Sequence, residues 1–280
     1  MQEKEFKLAI PERLSAQATN LNVKTFTLNK LGDREVAFIL PGGPGIPHKP
    51  YLPYLALQSK LDLVFHDPRA TGKSDITTDC TMDNYIDDVE AIRTLLGLDK
   101  VTIIGKSYGS ICALGYTILY PKFVDKLVLA AGAPSYRLFD LAYANLLKQG
   151  TPLQIELGKK LWVGQINTDS ELKQYFEEMA SLYCLSCTTK EAVDISGYSR
   201  YALNLGFTDF LRKFDYEDQL AQIDVPTLIL AGRNDWVNDV SQAKLMASKI
   251  RNSKLVIFEN CGHAMEKDAK IEFFNTVLNF

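Results

Sequence analysis

Residues 101–116 read VTIIGKSYGSICALGY. A β-branched apolar run, Val101 to Ile104, stops at Gly105, and a pattern of small residues typical of a helix follows Gly109. Ser107 stands between the two glycines and completes the G-x-S-x-G of a nucleophile elbow, a strand-turn-helix in which strain lifts a serine hydroxyl clear of the sheet. A side chain at either glycine would collide with the neighbouring strand or helix. The helix N-terminus offers backbone N–H groups to negative charge that forms nearby.

The tripeptide Gly-Lys-Ser within this stretch is also found in phosphate-binding loops, and it recurs at residues 72–74. A phosphate-binding loop needs a glycine five residues before the Gly-Lys pair. Those positions hold Lys100 and Asp67. Both matches therefore fail, and the elbow interpretation stands.

The composition is that of an ordinary globular protein, with 280 residues of which 46% are hydrophobic and 23% charged. This length suits one α/β domain with an insertion. A net charge of −3 argues against nucleic acid or an anionic membrane as the main partner. No apolar run approaches the roughly 20 residues of a membrane span, and no signal peptide is visible.

Five cysteines, an odd number, are scattered along the chain: Cys80, Cys112, Cys184, Cys187 and Cys261. The sequence therefore predicts reduced thiols in a cytoplasmic protein. Cys184 and Cys187 have the CxxC spacing of some zinc and redox sites. A zinc site needs a second pair of ligands, and the histidines show no ligand spacing. A structural or incidental role is expected for this pair, without a metal.

Strand-like and helix-like segments alternate over most of the chain. The predicted strands include residues 35–40, 61–65, 101–104, 126–131, 226–231 and 254–258, and the predicted helices include 82–97, 239–250 and 267–280. This alternation predicts an α/β fold with a mostly parallel central sheet and helices on both faces. Residues 134–218 show helical periodicity without strands, so we expect residues 1–133 and 219–280 to form the core and 134–218 an inserted helical cap.

A serine hydroxyl needs a base within hydrogen-bond reach and an acid that orients the base. His263 follows the strand at 254–258, and Asp235 follows the strand at 226–231, so both stand at strand ends where ligands bind in such sheets. Asp239 is the rival acid, but it occupies an expected helix N-cap, which is a structural reason for an aspartate. The order Ser107, Asp235, His263 matches the nucleophile elbow's usual partners.

Acyl transfer also requires hydrogen-bond donors for the oxyanion. The backbone N–H of Tyr108, next after the nucleophile, is one expected donor. The other is expected from Gly43, within the turn Pro41–Gly45 that follows a buried strand. A glycine there lets the backbone approach the substrate closely.

With its three expected catalytic residues in this order, the chain resembles the α/β-hydrolase superfamily along nearly its whole length. Three motifs look like the proline iminopeptidase branch of that superfamily: GGPG at 42–45, DPRATGKS at 67–74 and GKSYG at 105–109. The resemblance implies release of N-terminal residues, often proline, from short peptides, without a metal or cofactor.

The chain departs from that branch at several positions. Members usually have histidine before the first glycine, where this chain has Pro41. They hold the substrate's free amine with cap glutamates and, in some members, with a glutamate after the catalytic aspartate, where this chain has Trp236. The stretch 204–210 offers only Asp209, and Glu178 is a second candidate acid. Because a buried ammonium needs an anionic partner, the sequence favours a small hydrophobic ester or amide over a charged peptide.

The cap is rich in aromatic residues that are able to line an acyl site. We expect Trp236, Phe207 and Tyr201 to contact the substrate. Three functions stay open: a serine hydrolase of small esters or amides, a proline iminopeptidase-type aminopeptidase, and a slow-turnover ligand sensor on the same fold. Each takes a small-molecule ester, amide or short peptide, with no cofactor, and the sequence leaves the oligomeric state undetermined.

Overall fold

The computed structural model describes residues 2–9, 20–27, 31, 34–187 and 193–280. Within them, eight strands form one sheet in the order β1-β2-β4-β3-β5-β6-β7-β8. The strands are β1 Gln2–Ala9, β2 Asn20–Thr27, β3 Glu35–Leu40, β4 Leu61–His66, β5 Val101–Lys106, β6 Val124–Ala130, β7 Thr227–Gly232 and β8 Ser253–Phe258. Strands β3 to β8 pair in parallel, and only the β1–β2 and β2–β4 pairs are antiparallel. The predicted mostly parallel sheet is confirmed.

Helices cover both faces of this sheet. They are α1 Met82–Leu95, α2 Tyr108–Leu119, α3 Leu138–Gln149, α4 Pro152–Trp162, α5 Asp169–Tyr183, α6 Arg200–Thr208, α7 Val240–Lys249, α8 Met265–Asp268 and α9 Lys270–Leu278. Along β3 the buried side chains alternate between faces: Phe38 packs in the cluster with α1, α2 and α7, whereas Ile39 packs in the cluster with α9. Burial on both faces explains why β3 is continuously apolar from Val36 to Leu40.

Helices α3 to α6 lie between β6 and β7 in the chain and share a third apolar cluster. Thr151 and Thr168 start α4 and α5 with capping boxes, in which the threonine side chain and the residue three positions later satisfy each other's backbone N–H groups. At the base of the insertion, Ser135 and Asp215 form an isolated antiparallel bridge. The cap boundaries at 134 and 218 remain a prediction, and residues 188–192 lie outside the described part.

Several local features differ from the sequence prediction. The expected helix at 267–280 is two helices, α8 and α9, and a 3-10 helix at Lys49–Ser59 and the edge strand β1 were not predicted. Cys184 and Cys187 form a disulfide with Cα atoms 5.2 Å apart, so the prediction of reduced thiols is wrong for this pair. Cys80, Cys112 and Cys261 are free. Of the helices among the described residues, none is long and apolar enough to cross a bilayer.

Candidate active site

Ser107 occupies the turn between β5 and α2 with φ 57° and ψ −121°, a left-handed conformation that is costly for a residue with a side chain. The flanking glycines allow this turn. A Cβ at Gly109 would overlap the carbonyl oxygen of Leu40 in β3, and a Cβ at Gly105 would overlap the carbonyl oxygen of Gly109. The expected reason for both glycines is therefore confirmed, and the hydroxyl sits at the carboxyl edge of the sheet.

His263 lies in the loop after β8 and pairs with Asp235 in the loop after β7. Its Nδ1 is 2.8 Å from Oδ2 of Asp235. The other carboxylate oxygen, Oδ1, accepts hydrogen bonds from the backbone N–H groups of Val237 at 2.9 Å and Asn238 at 3.0 Å. Three hydrogen bonds thus orient a side chain that is 0% exposed. A carboxylate at Nδ1 favours the tautomer whose Nε2 is free to accept a proton.

Asp239, the rival acid, has a different role. Its Oδ1 accepts a hydrogen bond from the backbone N–H of Ser241 at 2.9 Å, which caps α7. Its Oδ2 accepts from the side-chain amide of Asn145 at 3.1 Å. The structure therefore pairs Asp235, and not Asp239, with the histidine.

The loop that carries His263 is also bonded to the insertion. The backbone N–H of Ala264 donates to the carbonyl oxygen of Tyr183, the last residue of α5, at 2.7 Å. The Tyr183 ring packs edge-on against the His263 ring, with centroids 5.4 Å apart. Burial raises the pKa of Tyr183 to about 12, against a hydrogen bond with Tyr175 that lowers it, so this phenol is neutral beside the imidazole. The loop that carries His263 is therefore in direct contact with the end of α5.

Of the two expected oxyanion donors, Tyr108 follows Ser107 in the chain and Gly43 lines the cavity with it. Tyr108 is the first residue of α2, where backbone N–H groups have no partner within the helix. Gly43 lines the same cavity as Ser107 and has φ 123°, a conformation that other residues rarely adopt. Next to it, the N–H of Gly42 donates to the hydroxyl of Tyr51 at 2.7 Å.

Ser107 and His263 open onto a cavity of about 220 Å³. Its lining is mostly apolar and aromatic, and much of it comes from the insertion: Leu161, Tyr175, Phe176, Tyr183, Tyr198, Leu203 and Phe207. The disulfide cysteines also line it. The volume and the apolar lining suit a small acyl group.

Of the three expected substrate contacts, the structure places Phe207 in the cavity lining and the other two elsewhere. Trp236 is 1% exposed and packs its ring against Tyr183, 5.5 Å between centroids. Tyr201 is 47% exposed, and its hydroxyl donates to the carbonyl oxygen of Thr78 at 3.2 Å. Trp236 is buried in the third apolar cluster and Tyr201 lies at the surface, so neither ring lines the cavity.

Neither of the candidate acids for a substrate amine lines the cavity. Asp209 forms an ion pair with Lys213, and the backbone oxygen of Glu178 accepts from Gln154 at 2.7 Å. Three charged residues that sequence reasoning missed do line it: Lys106, directly before Ser107, and Glu266 and Lys267, three and four residues after His263. Their nearness in the chain to Ser107 and His263 was the available signal. Among the described residues, no group of three metal-ligating side chains comes together.

Comparison with protein families matches residues 38–266 to the α/β hydrolase fold family. Among curated proteins, the chain is similar to the proline iminopeptidase of Saccharolobus solfataricus, 28% identical over 86% of this chain and 83% of that protein. It is also similar to proline iminopeptidase PfmaB of Pestalotiopsis fici, 27% identical over 83% of this chain and 86% of that protein. The resemblance to the proline iminopeptidase-like branch is confirmed.

Solved structures give the same fold. VinJ superposes with a TM-score of 0.78 at 20% identity, covering 99% of this chain and 97% of that one. The proline iminopeptidase of Mycobacterium smegmatis has a TM-score of 0.74 at 16% identity, covering 99% of this chain and 97% of that one. The esterase EaEST of Exiguobacterium antarcticum has a TM-score of 0.68 at 24% identity, covering 93% and 95%.

Proposed function

Because the chain belongs to the α/β-hydrolase fold family, we propose that it is a serine hydrolase that works through an acyl-enzyme. The observation that carries this proposal is the hydrogen bond of 2.8 Å between His263 Nδ1 and Asp235 Oδ2, because His263 lines the cavity together with the strained Ser107. A surface histidine would need no buried carboxylate behind it.

In the first half-reaction, Ser107 Oγ attacks the carbonyl carbon of the substrate and its proton passes to Nε2 of His263. Asp235 stabilises the imidazolium that results. The carbonyl oxygen becomes an oxyanion, which accepts hydrogen bonds from the N–H groups of Tyr108 and Gly43; one such donor is typically worth about 3 kcal/mol. The intermediate collapses, the bond to the leaving group breaks, and the leaving group takes the proton from His263.

In the second half-reaction, a water molecule gives a proton to His263 and its oxygen attacks the acyl-enzyme. The ester bond to Ser107 breaks, the acid is released, and Oγ takes the proton back. The small aromatic cavity supports short, uncharged acyl groups as the preferred substrates, either as esters or as amides.

A second candidate is a proline iminopeptidase-type aminopeptidase, which the names of the curated relatives favour. Proline p-nitroanilide and its N-acetylated form separate the two candidates. An aminopeptidase cleaves only the form with a free amine, whereas a hydrolase of uncharged acyl groups accepts the acetylated form at least as well.

The test of the proposal is covalent labelling by a fluorophosphonate, together with burst kinetics on p-nitrophenyl acetate and butyrate. We expect labelling at Ser107 and its loss in Ser107→Ala. Ser110→Ala is the matched control, because Ser110 is a buried serine of α2 outside the cavity lining. Equal turnover by wild type and Ser107→Ala on every ester would refute the mechanism. Labelling at Ser107 without turnover would favour a ligand sensor.

A further inference from the structure

One end of the cavity is charged, although most of the lining is apolar. Lys106 ends β5 directly before the nucleophile, and Glu266 lies in α8, directly after the loop of His263. Both side chains line the cavity with Ser107. They are largely buried, with 4% of the Lys106 side chain and 15% of the Glu266 side chain exposed. Burial on this scale removes most of the screening by water.

These two charges attract each other without a direct hydrogen bond. Lys106 Nζ donates to the carbonyl oxygen of His263 at 2.8 Å and lies 4.0 Å from Oε2 of Glu266. That oxygen is buried and has no hydrogen-bond partner among the described residues. A separation of 4.0 Å is too long for a hydrogen bond but still gives a strong charge–charge interaction in a buried site. Both groups therefore keep hydrogen-bonding capacity for a ligand.

The charges that face the cavity determine which substrates it tolerates. Glu266 is the one carboxylate in the lining as far as the structure describes it. Besides Lys106, the lining contains the cation Lys267, which is exposed and so is screened by solvent. The buried end thus contains one positive and one negative charge. A substrate ammonium there would be attracted by Glu266 and repelled by Lys106.

We propose that Lys106 sets the charge preference of the cavity. By compensating Glu266 it makes the site favour uncharged acyl groups, and its removal turns Glu266 into a receptor for a substrate ammonium. Lys106 is in this view a specificity-determining residue. The inference rests on the proposed serine hydrolase function, because it concerns the acyl group that Ser107 receives.

The test compares two methyl esters of equal ring size, that of proline and that of cyclopentanecarboxylic acid, which differ by an ammonium in place of a methylene. The measured quantity is the ratio of their kcat/KM values, proline over cyclopentane, near pH 7. In the wild type we expect this ratio to be below one. Lys106→Met should raise the ratio about tenfold to a hundredfold, since a like charge a few ångströms away is removed.

Glu266→Gln should change the ratio in the opposite direction, because Lys106 then stands uncompensated. The double variant Lys106→Met/Glu266→Gln has no charge at this end and should return to within about threefold of the wild-type ratio, as coupled charges require. Lys267→Met is the matched control: it removes an exposed cation from the same lining and should change the ratio by less than about twofold.

Lys106→Met also removes the hydrogen bond to the His263 carbonyl, and this loss slows both esters alike, so it cancels in the ratio. A second readout needs no catalysis: calorimetric binding of prolinamide and cyclopentanecarboxamide, with each charge variant made in the Ser107→Ala protein. Binding preferences in the expected order support the inference even if no ester is hydrolysed. Absence of hydrolysis would refute the proposed function but not this inference. A wild-type preference for the proline ligands, or a ratio that Lys106→Met leaves unchanged, would overturn the inference.

Discussion

Asp235→Asn is the sharpest test of the proposed catalytic residues, because it replaces one carboxylate oxygen by an NH2 group and keeps the shape of the side chain. The asparagine carbonyl can replace Oδ1 and still accept from the N–H groups of Val237 and Asn238. Its amide nitrogen then faces Nδ1 of His263, where Oδ2 stood at 2.8 Å. An N–H donor at that place forces Nδ1 to accept, so the ring proton moves to Nε2 and the base is lost.

The expected loss in kcat is about 10⁴-fold, equivalent to roughly 5 kcal/mol of transition-state stabilisation, as for other triads with this exchange. Stability should change by less than about 1 kcal/mol, because both backbone hydrogen bonds persist. The assay is steady-state hydrolysis of p-nitrophenyl butyrate, with urea unfolding of the same preparations.

Asp239→Asn is the matched control for this exchange. Asparagine is as good an N-cap as aspartate, so α7 should stay capped and activity should stay within about twofold of the wild type. The reasoning is refuted if Asp235→Asn keeps more than about a tenth of the wild-type kcat, or if Asp239→Asn loses as much as Asp235→Asn.

Two further predictions concern buried ionisable groups that do not line the cavity. Arg69 is 0% exposed and donates to both carboxylate oxygens of Asp88, at 2.7 and 2.8 Å. Arg69→Met should lower the free energy of unfolding by about 3 to 5 kcal/mol, because it leaves a buried carboxylate without its partner, and adding Asp88→Leu should recover most of the loss. A loss under about 1 kcal/mol in urea unfolding would contradict this prediction. Burial lowers the pKa of His66 from 6.5 to about 4. Between these pH values the unfolded chain binds the proton more readily than the folded protein, so the free energy of unfolding falls as the pH falls, by up to about 3 kcal/mol. His66→Leu should remove this part of the acid destabilisation, and equal losses for both proteins between pH 7 and pH 4 would contradict the assignment.

The sheet and the loops around Ser107 follow from local sequence patterns. A short β-branched apolar run such as Val101–Ile104 is typical of a buried strand. Gly105 is required by a contact within the same strand-turn-helix unit, and Gly109 by a contact with the neighbouring strand β3. The pairing of His263 with Asp235 follows from chain order, because parallel strands bring their carboxyl ends to one edge. All of this information is local or topological.

Features that depend on tertiary packing could not be predicted in this way. Trp236 was expected to contact substrate because it adjoins Asp235, but its ring turns into the insertion's apolar cluster. The disulfide between Cys184 and Cys187 follows from the chain reversal after α5, which a CxxC pattern does not by itself reveal. The Lys106–Glu266 pair joins residues 160 positions apart, whose approach is fixed only by the whole fold.

The hydrogen bond between Ala264 N–H and the Tyr183 carbonyl oxygen links the wall of the cavity to the position of His263. Tyr183 belongs both to the cavity wall and to the support of the loop that carries the histidine. Under the proposed acyl-enzyme mechanism, we expect an acyl group too bulky for the cavity to displace the end of α5 and, through this bond, the imidazole as well. We therefore expect kcat to fall as the acyl chain lengthens, even where the substrate still binds well.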